Sequence, residues 1–71
     1  MKNLKVYGGL ETRQYGEQHR IVVATTSKAR LVRILGVGIY IVNTWWAETG
    51  NKREVELATK NPHTKIDMGK I

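Results

Sequence analysis

The chain has no cysteine, no phenylalanine and a single proline. Without cysteine it can form neither a disulfide nor a thiolate metal cage, a usage that fits a reducing, intracellular setting. Long apolar runs are also missing. The longest, around residues 34–42, is interrupted by Gly36 and Gly38. It falls well short of the roughly 20 apolar residues of a membrane span, so no membrane partner is expected. The opening MKNLKVYGG carries no apolar core of the kind a secretory signal needs. Carboxylates are scarce too: six Asp and Glu stand against twelve Lys and Arg, for a net charge of +6.

What is present is small and basic. The 71 residues suffice for one domain, 1–71, with a thin core. Lys2, Lys5, Arg13, Arg20, Lys28, Arg30 and Arg33 face only Glu11 and Glu17 in the first half, whereas residues 34–49 carry only Glu48. Such a surface attracts nucleic acid or an acidic protein by simple electrostatics.

Catalytic groups are thin. His19 and His63 fall on separate strands, and no set of four ligands at zinc spacing is visible. Glu11 and Glu17 flank a turn, but paired-carboxylate chemistry also needs a walled cleft. Gly36-Val37-Gly38 lacks the strand and third glycine of a dinucleotide site. The expectation is a binding module, not an enzyme, with no catalytic residue, no cofactor and no metal.

The pattern predicts an α+β fold in the order β-β-α-α-α-β. Leu4, Val6 and Tyr7 open a strand in which Gly8-Gly9 permits a bulge or a close backbone approach. Tyr15-Gly16-Glu17-Gln18 turns the chain, and the β-branched run from His19 to Ala24 returns it, giving a hairpin over 1–24. Ser27 offers a hydroxyl cap to a helix ending at Leu35, and Gly36 suits a left-handed exit. A second helix runs to about Ala47. Asn51 and Glu54 read as a capping box for a third helix over 51–61, stopped by Pro62. Thr64, Ile66 and Met68 alternate as a short strand over 63–68. The expected architecture is two or three antiparallel strands with the helices packed on one face.

Lys28–Ala47 (KARLVRILGVGIYIVNTWWA) is the richest stretch. Two short helices about Gly36 match a helix-turn-helix layout, and Leu31, Leu35, Val37, Val42 and Trp45 supply its apolar support. The positions that touch DNA in such a unit are Gly38, Ile39, Tyr40, Asn43 and Thr44. Asn43 suits adenine, and Thr44 a phosphate or a thymine methyl. Lys28, Arg30 and Arg33 would hold phosphates, extended along the hairpin by Lys5, Arg13, His19 and Arg20. Three departures are visible. Gly38 and Ile39 are poor readers of base edges. No Arg or Lys occurs between Arg33 and Lys52, and Val32 stands where a small residue normally lets the helices approach.

Trp45 and Trp46 point about 100° apart on a helix. Either Trp45 is core and Trp46 seals the seam between helix and sheet, or Trp46 joins Ile39 and Tyr40 as an exposed anchor, tryptophan and tyrosine being favoured at binding hot spots.

The pattern TTSKARLVRILGV, followed by a tryptophan-bearing helix, resembles the first helix and turn of excisionase and MerR-type helix-turn-helix modules. The wider layout, KVYGGL, Gln-His-Arg-Ile, WWAETGN and a late Asn-Pro, looks like small accessory proteins of phages and mobile elements. The resemblance implies a compact accessory factor in the cytoplasm of a bacterial host, either a regulator or an inhibitor of host defence. The expected partner is nucleic acid, DNA before RNA. The alternative is a host protein or nucleoprotein complex, such as a CRISPR-type defence complex, held through Ile39, Tyr40 and Trp46. A homodimer built on the apolar second helix is a further possibility.

Overall fold

A computed structural model describes residues 4–12 and 14–71. The protein is a small α+β domain. Its four-stranded antiparallel sheet has the order β3-β1-β2-β4, with β1 at Lys5–Thr12, β2 at Gln18–Thr25, β3 at Ala47–Glu48 and β4 at Ile66–Lys70. Three short helices complete it: α1 (Lys28–Leu35), α2 (Ile39–Trp45) and α3 (Lys52–Lys60).

The hairpin of β1 and β2 is regular. Register runs from Lys5 opposite Thr25 to Thr12 opposite Gln18, passing straight through Gly8–Val22 and Gly9–Ile21. No bulge interrupts Gly8-Gly9, so the glycines serve close approach. The register shift lies elsewhere, between His19 and Ile21 where β2 meets β4. The turn before β2 holds Tyr15 in the left-handed region at φ 63°.

β2 is the centre of the molecule. Ile21, Val22, Val23, Ala24 and Thr25 are all buried. An unbroken apolar run needs cover on both faces of a sheet. The structure provides it. Tyr7, Ile21 and Val23 pack with Leu31, Val42 and Trp46 on one face. Val6, Val22 and Ala24 pack with Ala58 on the other, with Val55, Ile66 and Met68 alongside. The helices therefore do not share one face of the sheet, where all three were expected: α1 and α2 cover one side and α3 the other. The two-residue β3, unforeseen in the sequence, carries the chain around the β1 edge between them. Its partners are Tyr7 and Gly8, and the Thr49 amide donates to the Val6 carbonyl at 2.8 Å.

The helix ends follow local chemistry. Ser27 Oγ accepts from the Arg30 amide, and Gly36 closes α1 at φ 70°. Asn51 Oδ1 accepts from the Glu54 amide at 3.1 Å. The reciprocal arm of the capping box is absent, because Thr49 Oγ1 takes the Asn51 amide and Glu54 turns to Arg20. The buried Thr25 hydroxyl meets His63 Nδ1 at 3.0 Å, and the His63 amide donates to the Ala24 carbonyl. No helix is long and apolar enough to cross a membrane among the described residues.

Candidate nucleic-acid interface

The α1–α2 layer holds most of the residues singled out by the sequence. α1 turns Leu31 into the core, which leaves Lys28, Arg30 and Arg33 exposed. Arg30 and Arg33, three apart on one helix face, line a shallow depression of about 190 Å³ with Ser27 and Ala29. Lys28 points toward the second helix, and its Nζ reaches Asn43 Oδ1 at 3.4 Å. None of these three cations has an ion-pair partner among the described residues. Residues 18–47 contain no carboxylate at all.

The rest of the surface is different in kind. α3 mixes Lys52, Arg53 and Lys60 with Glu54 and Glu56. Lys65 contacts Glu11 at 3.3 Å, and Lys70 contacts Glu17 at 3.2 Å. His19 sits between Asp67 and Glu17, with Nδ1 3.1 Å from Asp67 Oδ2.

The phosphate track expected along the hairpin is therefore broken. Arg20 faces α3, opposite α1, and its guanidinium is bound to Glu54. The hydrogen bond to Glu54 raises the Arg20 pKa. The same bond, joined by one from the Thr49 hydroxyl, lowers that of Glu54 against the opposing effect of burial. Arg20 is a structural residue. Lys5 shares the strand alternation of Tyr7 and is exposed on the α1–α2 side. Arg13 lies outside the described residues.

α2 places Ile39, Tyr40, Asn43 and Thr44 in the open, with Val42 as its buried residue. Trp46 seals the seam between helix and sheet, as one of the two readings had it, but Trp45 is not core. α2 ends at Trp45, so Trp46 leaves the helix in extended conformation, at φ −115° and ψ 138°. Its indole folds onto the sheet over Gly9, and only 6% of it remains exposed. Trp45 is left 68% exposed, so it does not support the helix pair, and Trp46 is not an anchor at the surface. The signal for this was the Gly8-Gly9 pair. A notch in a strand calls for a ring to fill it, and filling it with one tryptophan turns its neighbour outward.

Beside Trp45 lies a groove of about 350 Å³, lined by Leu10, Thr12, Gln18, Ile41 and Trp45. Ile41 and Trp45 are one helical turn apart, and Leu10 is part-exposed. Sequence reasoning missed this groove because it joins strand residues to a helix between 23 and 35 positions away. Among the described residues no group of three or more His, Asp or Glu is placed to hold a metal ion. No protein-family model, curated protein or solved structure matches the chain.

Proposed function

We propose that the protein binds nucleic acid through the outer surface of the α1–α2 pair, used as a helix-turn-helix-like unit. The observation that carries this reading is the exposed set Lys28, Arg30 and Arg33 within a span, 18–47, that has no carboxylate. Cations without local anions are free to neutralise phosphates. Lys5 adds to the same side. Asn43, Thr44 and Tyr40 stand on the exposed side of α2, where contacts to bases would be made. This role suits an accessory factor of the kind phages and mobile elements encode.

The test is anisotropy of labelled DNA titrated with the protein over a range of salt concentrations. Three phosphate contacts give a slope of about −3 in log K against log salt. Arg30→Ala and Arg33→Ala should each weaken binding on every sequence and reduce the slope by about 1. Binding that is absent at low salt overturns the proposal.

A second reading, a protein partner such as a host defence complex, draws on the exposed Ile39 and Tyr40 and on the lack of charge on α2. It expects binding insensitive to salt and lost in Tyr40→Ala.

A further inference from the structure

The surface of α2 is unusual for a helix that reads a duplex. Base edges in the major groove are recognised by polar and charged side chains. α2 has neither Arg nor Lys, and the Asn43 carbonyl oxygen already faces the Lys28 ammonium at 3.4 Å. What it offers is aromatic: Tyr40 is 77% exposed and Trp45 68%. Its seven residues span only about 10 Å. Such a platform has little for paired bases, whose faces are covered by their neighbours, and much for unpaired ones.

We propose that α2 and β1 form a stacking platform for single-stranded DNA. One unpaired base enters the groove bounded by Leu10, Ile41 and Trp45 and stacks on the indole, while phosphates further along the strand, across the width of α2, run over Lys28, Arg30 and Arg33. This rests on the nucleic-acid reading above, keeps its cationic helix, and replaces the reading of a duplex by α2 with the stacking of unpaired bases. Charge complementarity fixes the course of the strand: the phosphates follow the cationic helix, the bases the uncharged one, and the Lys28–Asn43 contact marks the seam. The groove volume of about 350 Å³ falls at the lower end of small-ligand sites. Its walls have only Thr12 and Gln18 as polar side chains. That favours thymine over uracil, and so DNA, since the C5 methyl of thymine gains apolar cover from Leu10 and Ile41.

The experiment uses the full chain with a labelled oligodeoxythymidylate of about 15 nucleotides, the matching oligouridylate, and a mixed-sequence duplex. Binding is read by anisotropy and by quenching of tryptophan fluorescence. The single strand of DNA should bind more tightly than the duplex and quench the exposed indole. Trp45→Ala should weaken single-strand binding about tenfold and leave the duplex unaffected. Trp45→Phe should restore most of the loss, which separates stacking from any effect on folding. Arg30→Ala should weaken both. Duplex binding equal to or tighter than single-strand binding, or an unchanged affinity in Trp45→Ala, overturns the stacking platform while leaving the nucleic-acid reading intact. Tighter binding of the oligouridylate overturns the choice of DNA. Absence of binding to all three at low salt overturns both proposals.

Discussion

Arg20 and Glu54 meet in a two-pronged ion pair, with Nε 2.9 Å from Oε2 and Nη2 3.1 Å from Oε1. The Thr49 hydroxyl donates to the same Glu54 Oε1 at 2.8 Å. Residues from β2, from just after β3 and from α3 are thus tied at a single carboxylate, above Gly8. A planar guanidinium presents donors that match both carboxylate oxygens, and the site is mostly shielded from water.

A pH dependence follows from the lowered pKa of Glu54. The carboxylate is held in its charged form by the fold, so its contribution is complete above the ordinary glutamate pKa of about 4.3. It declines as pH falls below that value and is lost once pH passes the folded pKa. Urea unfolding at neutral pH and at pH near 3 should show this loss. Glu54→Gln should lower stability by about 2 kcal/mol at neutral pH and flatten the acid dependence.

The two glycines of β1 should respond unequally to alanine. At Gly9 an added Cβ would overlap the ring of the buried Trp46. Overpacking of this kind costs about 2–3 kcal/mol. At Gly8 it would meet the end of the Arg20 side chain, which can move aside only by loosening its ion pair with Glu54. Thermal melts should therefore place both variants below the parent protein, with Gly9→Ala the lower of the two.

The sequence made the hairpin, the first helix with its Ser27 cap and Gly36 exit, and the third helix legible, because each has a local cause. The placement of α3 was not legible in the same way. It depends on β2 being apolar on both sides, a pattern that calls for cover on each face but does not say which helix supplies it. Asn51 showed its cap, but the partner of Glu54 lies 34 positions away. No local rule reports that distance, and so Arg20 was read as a free cation. The groove beside Trp45 was hidden for the same reason.

Neighbouring tryptophans should separate cleanly in solution. Trp46→Ala removes a ring from the core and should cost about 3 kcal/mol or more. Trp45→Ala should stay within about 0.5 kcal/mol of the parent protein. Acrylamide should quench the fluorescence remaining in Trp46→Phe efficiently and that remaining in Trp45→Phe poorly.

Tyr15 stands 98% exposed with a left-handed φ of 63°. A side chain with no buried contact gains nothing from that strained backbone. Asparagine tolerates it better. Tyr15→Asn should raise stability by about 0.5 kcal/mol, measured as a shift in the urea midpoint.

An unbroken apolar β2 has a cost in uniqueness. Strand register is normally specified because a slip of one residue sends apolar side chains to solvent. Here such a slip would exchange one buried apolar residue for another. The glycine pair supplies what alternation does not. Gly9 alone admits the Trp46 ring, and Gly8 the Arg20 guanidinium. Sliding β1 by one step leaves a glycine at one of the two places but sets Leu10 against the ring or Tyr7 against the guanidinium. Gly8 and Gly9 thereby act as a lock against a one-step slip in either direction.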